Sequence, residues 1–269
     1  MSVISGVFGR LKEQGDKGFI PYITAGDPDL NTTRDLVLEL ARRGSDIIEL
    51  GIPFSDPLAD GPTIQASAQR ALENGATLER IFGCVAEVRK ESGVPILFMT
   101  YYNPVHQYGL EAFVARCAEV GVNGALITDL PPEEAGTYRE LMANAGLETV
   151  FLLAPTSRDE RIRIVTDAAT GFVYYVSRAG VTGEQVALAD SLGPMTDRIR
   201  SFSNKPLAVG FGISTPEQAA EVSPHADAVV VGSAIVRRIG EKGDAPDLVT
   251  QIGDFISELV HPLKSSHSS

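Results

Sequence analysis

The stretch Pro95–Thr128, PILFMTYYNPVHQYGLEAFVARCAEVGVNGALIT, decides how the chain is read. It opens on a short run of apolar, β-branched and aromatic residues (95–101) and passes through turn residues. It then carries apolar side chains at helical spacing in LEAFVARCAEVG and ends on a second apolar run (123–128). Short continuous apolar runs are expected of parallel strands buried on both faces, and parallel neighbours need a helical crossover between them. The unit, roughly 30 residues long, recurs in both directions. Upstream runs lie at 18–24 (GFIPYIT) and 46–51 (DIIELG); downstream runs lie at 148–153 (ETVFLL), 171–176 (GFVYYV), 206–210 (PLAVG) and 226–231 (ADAVVV). The chain begins with Val3, Ile4, Val7, Phe8 and Leu11 at helical spacing. Eight strand–helix units suit a closed barrel, whereas an open doubly wound sheet usually has five or six strands. The predicted fold is therefore α/β: a (β/α)8 TIM barrel with an extra N-terminal helix. No Pro/Gly/Ser-rich linker divides it, so one domain over 1–269 is expected, with 262–269 a frayed tail.

The bulk numbers exclude several classes of function. A formal net charge of −12 repels nucleic acid and anionic membranes at long range. It leaves room for one small phosphorylated ligand held by backbone N–H groups. Cys84 and Cys117 form no C-x-x-C motif, and His106, His225, His261 and His267 lack metal-ligand spacing, so neither a disulfide framework nor a zinc site is expected. No metal or organic cofactor is expected. The N-terminus has no apolar run of signal-peptide type and no segment reaches the roughly 18 apolar residues of a bilayer span, which places the chain in the cytoplasm.

Two connections break the rhythm. IPFSDPLADGP follows the second strand and SRAGVTGEQVALADS follows the sixth, where barrel loops usually run about 2–6 residues. Both leave C-terminal strand ends, the face on which barrel enzymes carry their active sites. Glycine-rich turns follow the seventh strand (GFGIST, Gly210 to Thr215) and the eighth (GSAIV, Gly232 to Val236). Gly212 and Gly232 would let backbone approach a ligand, Ser233 adds a hydroxyl at a helix start, and these two loops form the recurrent phosphate pocket of barrel enzymes. Gly183, in the sixth loop, is a candidate third N–H donor. The alternative is that the glycines only make turns and Ser233 only caps a helix.

Glu49 stands within the apolar run DIIELG. A carboxylate there is costly unless it has partners or a task, and desolvation would raise its pKa into the range of a general acid and base. Asp60, at the end of SDPLAD, is the second candidate; a helix cap or Asx-turn is its competing role. No Ser-His-Asp order, P-loop or dinucleotide fingerprint is present.

The run ELGIPFSDPLADGPTIQ (Glu49 to Gln65), with FIPYITAGDP, YYVSRAGVTG, GFGIS and GSAIV in the same order, resembles the signature of tryptophan synthase α subunits. The resemblance spans about residues 16 to 260. It implies a carbon–carbon lyase that cleaves indole-3-glycerol phosphate to indole and glyceraldehyde 3-phosphate by retro-aldol chemistry, without a cofactor. It further implies a β subunit as partner in an α2β2 assembly. By resemblance Glu49 and Asp60 are the catalytic pair, Glu49 serving in both proton transfers and Asp60 accepting a hydrogen bond from the indole N–H. Tyr174 matches a pocket tyrosine and Thr182 a loop hydroxyl that approaches Asp60 on closure. Tyr22, Met99, Leu126 and Leu152 match apolar walls for the indole. Tyr22 departs from the commonest family choice, a change expected to alter the wall and touch no chemical group. The competing readings are a stand-alone indole-releasing lyase, another phosphate-handling barrel, which should carry a strand-end lysine that none of these strands has, and a non-catalytic activator of a partner, which could lose its carboxylates.

Overall fold

A computed structural model describes residues 2–177, 188–210 and 212–264. Nine parallel strands make one sheet: β1 (Gly18–Thr24), β2 (Ile48–Gly51), β3 (Ile96–Thr100), β4 (Gly124–Ile127), β5 (Glu148–Thr149), β6 (Phe151–Leu153), β7 (Val173–Val176), β8 (Leu207–Gly210) and β9 (Ala228–Val231). Their order is β5-β4-β3-β2-β1-β9-β8-β7-β6. β5 and β6 are one run interrupted at Val150, so the two ends of the order meet and the sheet closes as an eight-stave barrel. The expected fifth strand, 148–153, is thus split: its first half pairs with β4 and its second with β7.

Side chains alternate across the barrel wall, as the two-residue strand period requires. Phe19 and Ile23 of β1, Ile48 and Leu50 of β2 and Phe98 of β3 face the surrounding helices. Ile20, Leu97, Leu126, Tyr174 and Val230 fill the interior. The opening helix Val3–Gln14 turns Ile4, Val7, Phe8 and Leu11 into that interior cluster, with the Phe8 and Phe172 rings 5.6 Å apart. It is fastened by the buried Glu148 carboxylate, which accepts hydrogen bonds from the Ser2 and Ser5 hydroxyls and, at 3.0 Å, from Ile4 N–H. The N-terminal mouth of the barrel is therefore plugged.

Local signals account for most helix boundaries. Asp29 caps Leu30–Arg42 by accepting from Asn31 and Thr32 N–H, and Gly121 ends Leu110–Val120 at φ 84°. A further helix, Tyr102–Tyr108, lies in the segment expected to be a turn; Pro104 falls in its first turn, where no intrahelical N–H is lost. The helix Leu188–Arg200 takes in the last residues expected in the sixth loop. At the other end, Leu263 is buried and Lys264 Nζ pairs with Asp46 at 2.7 Å, so packing continues past the expected start of the tail at 262. Cys84 and Cys117 are free and buried. No described helix is long and apolar enough to cross a membrane.

Candidate active site

Glu49 occupies the inner face of β2, level with Tyr22 of β1 and Leu97 of β3. It is 1% exposed, and its Oε1 has no hydrogen-bond partner among the described residues. A purely structural carboxylate bonded to nearby backbone would not account for that free oxygen. Burial, and secondarily the charge of Asp60, push its carboxyl up to about 8. Such a group holds its proton at neutral pH and can still release it.

Asp60 reaches the same mouth from the loop that leaves β2. The loop is braced from β3: Tyr101 donates to Asp60 Oδ2 at 3.0 Å and accepts from Ala59 N–H at 3.0 Å, and the Phe54 and Tyr101 rings lie 5.4 Å apart. Asp60 is not the cap of the next helix, Pro62–Glu73, whose cap residue is Gly61. Burial raises the Asp60 pKa and the Tyr101 hydrogen bond opposes the rise. Tyr101 was not foreseen from sequence; its place at the end of the third apolar run, one residue past β3, was the available signal.

The apolar candidates converge. Tyr174, Leu126, Met99 and Leu152 share the interior cluster, while Tyr22 packs with Ile64, Val236 and Met99. Two glycines make room for the phenols: a Cβ on Gly51 would stand 2.1 Å from the Tyr22 hydroxyl oxygen, and one on Gly210 would stand 2.7 Å from that of Tyr174. Tyr22 brings a hydroxyl to this wall. Its hydroxyl lies 3.3 Å from Thr24 Oγ1 and within the electrostatic reach of Asp60, Glu49 and Tyr101.

Across the mouth, Gly232 caps the helix Ser233–Lys242 and Ser233 is its first residue, so Ser233 is not the cap. No side chain caps this helix. Its first N–H groups have no intrahelical carbonyl and, with the Ser233 hydroxyl, offer an anion site at the positive end of the helix dipole. Gly212 has φ 77°, a conformation glycine adopts freely. Thr182 and Gly183 lie outside the described residues. Among the described residues no cluster of His, Cys, Asp and Glu could hold a metal ion.

A groove of about 600 Å³ lies at the opposite, N-terminal face, lined in part by Lys12, Lys17, Arg200 and Asp227. Two of its cations are already engaged, Lys17 by the Ala226 carbonyl and Arg200 by Asp227.

A family model for the tryptophan synthase alpha chain matches residues 8–260. The chain belongs to that family. A curated alpha chain from Geobacter sp. (strain M21) is 50% identical over 259 residues, covering 96% of this chain and 97% of the relative. One from Thermoanaerobacter sp. (strain X514) is 44% identical with coverage of 96% and 98%. Among solved structures, tryptophan synthase subunit alpha from Legionella pneumophila str. Paris superimposes with a TM-score of 0.91 at 37% identity, covering 98% of each chain. A chain of tryptophan synthase from M. tuberculosis gives 0.88 at 32% identity, with coverage of 98% and 99%. The barrel is thus the family's architecture.

Proposed function

We propose that this chain is the lyase subunit of a tryptophan synthase: it cleaves indole-3-glycerol phosphate to indole and glyceraldehyde 3-phosphate in tryptophan biosynthesis. One observation carries the assignment of roles. Glu49 is a buried carboxyl at the open mouth of a barrel, its Oε1 without a hydrogen-bond partner among the described residues and its pKa pushed up to about 8 by burial. In its acid form it protonates the ring carbon that bears the glycerol chain, and positive charge develops toward the indole nitrogen. Asp60 accepts a hydrogen bond from that N–H and stabilises the charge. The Glu49 carboxylate so formed takes the proton of the adjacent side-chain hydroxyl. The oxygen's electrons close the aldehyde as the carbon–carbon bond breaks, its electron pair restoring the aromatic ring. Glu49 ends protonated, as it began.

The phosphate belongs at Gly212, Gly232 and Ser233, with Tyr22, Met99, Leu126 and Tyr174 around the ring and Thr182 and Gly183 contributed by the sixth loop. One domain carries all of this. Its partner is a β subunit, docked on the same face in an α2β2 assembly; Leu58, 93% exposed at the tip of the loop after β2, suits a residue covered on docking. The chain works in the cytoplasm.

The direct test is incubation of the pure chain with indole-3-glycerol phosphate, alone and with a β subunit, while following indole. Absence of indole in both would overturn the reading. Asp60→Asn should lower kcat while leaving affinity for a glycerol-phosphate analogue without the ring unchanged. Titration calorimetry checks this, and a large affinity loss for the analogue would move Asp60 out of the ring pocket. Ser233→Ala should raise KM roughly tenfold, as hydrogen bonds to charged groups contribute about 1.5–3 kcal/mol. Gly212→Val should raise it further, since valine is strained at a φ of 77° and blocks backbone approach. Unchanged KM in both variants would place the phosphate elsewhere.

A further inference from the structure

The inner face of β1 carries a chain of hydroxyls whose direction can be read. Ser67 donates to the Ile64 carbonyl at 2.8 Å and lies 2.6 Å from Thr24 Oγ1, which lies 3.3 Å from the Tyr22 hydroxyl. Each hydroxyl has a single proton. With the Ser67 proton committed to Ile64, Thr24 donates to Ser67, and the Tyr22 proton is left to point at Thr24. Thr24 and Ser67 are both buried, so no competing partner from solvent reverses the sequence. The Tyr22 oxygen consequently turns its lone pairs away from Thr24.

The groups around that oxygen come from several elements. Glu49 is its register partner on β2, Asp60 and Tyr101 flank it from the loops after β2 and β3, and Tyr174 reaches toward it from β7. We propose that Tyr22 is a positioning residue that keeps Glu49 in its acid form, by presenting the negative end of a fixed hydroxyl dipole to the interior of the barrel. A dipole so oriented disfavours a neighbouring carboxylate relative to the neutral acid. This rests on Glu49 being the proton carrier, and it adds a reason why that carboxyl remains protonated with its Oε1 unpartnered among the described residues.

The test reads the Glu49 carboxyl itself, by isotope-edited infrared titration of the whole chain, its band identified as the one lost in Glu49→Gln. Tyr22→Phe removes the dipole and keeps the ring, and should lower the Glu49 midpoint by about half to one pH unit. Thr24→Val leaves the Tyr22 proton free to turn toward the carboxylate and should lower the midpoint further. Thr24→Ser, which retains the oxygen, should restore the wild-type value. The alkaline limb of kcat/KM, along which Glu49 loses its proton, should move with the midpoint. A midpoint unmoved or raised in Tyr22→Phe, or a smaller fall in Thr24→Val than in Tyr22→Phe, overturns the inference. If instead Glu49→Gln releases indole at the wild-type rate, it is the assignment of Glu49 that fails.

Discussion

Glu49→Gln is expected to lower steady-state indole release by about 10²–10⁴, equivalent to roughly 3–5 kcal/mol of barrier, with the fold intact. Glutamine has nearly the same volume and places an amide where the carboxyl was. The site loses nothing in packing, because the Glu49 oxygen Oε1 makes no hydrogen bond that the amide would have to reproduce. What disappears is the proton that one group delivers to carbon and recovers from oxygen. Both transfers fail together, so compensation by raising substrate concentration is not expected, and kcat should fall with KM little changed. Stopped-time assays of indole with saturating substrate decide it. Activity within threefold of wild type would remove Glu49 from the chemistry.

The same substitution should stabilise the protein, increasingly so as pH rises. The Glu49 pKa is raised in the folded chain, from an ordinary 4.5 to about 8. Between those values the native state keeps a proton that the unfolded chain has released. This group's contribution is therefore fully present below pH 4.5 and is lost as pH climbs toward 8. For a fully buried group with this shift, linkage gives a loss of about 3 kcal/mol between pH 5 and pH 8. Glutamine carries no such dependence. In denaturant unfolding at a series of pH values, the stability of Glu49→Gln relative to wild type should rise by that amount across the interval. A difference that does not vary with pH would mean that the native carboxyl is not held protonated. The two results together describe one compromise: the burial that makes the acid usable is a burden on the fold.

The staves of the barrel were legible in sequence because each is a buried run with few alternatives for its apolar residues. Glu49 was legible for the complementary reason, as a carboxylate inside such a run, whereas Asp46 and Glu148 open theirs and Asp227 stands one residue from the start of its own. Asp60 was harder, since aspartate before a Gly-Pro has ordinary uses in turns; only its bond to Tyr101 and the capping by Gly61 separate those uses from a role in the mouth. The break at Val150 left no trace in ETVFLL, where hydropathy is continuous and the interruption depends on how two neighbouring staves diverge. The hydroxyl relay was illegible altogether. Tyr22, Thr24 and Ser67 share no local pattern, and their meeting depends on the helix Pro62–Glu73 returning against β1. A tyrosine in place of another wall residue reads in sequence as one more ring; its oxygen acquires meaning only from who takes its proton.

The plug at the N-terminal mouth also says something about the order in which a ribosome can build this molecule. Its helix emerges well before the strands, yet its anchor is Glu148 and its aromatic neighbour is Phe172. Contacts so distant along the chain carry a large loop-closure cost and form late. Until Glu148 and Phe172 have been made, the helix that carries Ile4, Val7, Phe8 and Leu11 lacks both its anchor and the ring it packs against. The opening segment must wait as an amphipathic helix or an unfolded stretch, sheltered by whatever the cell supplies, and closes the base of the barrel only after the fifth stave is in place. The opening helix is thus fastened by a side chain that arrives almost 150 residues later, which couples completion of the barrel's base to synthesis of its second half.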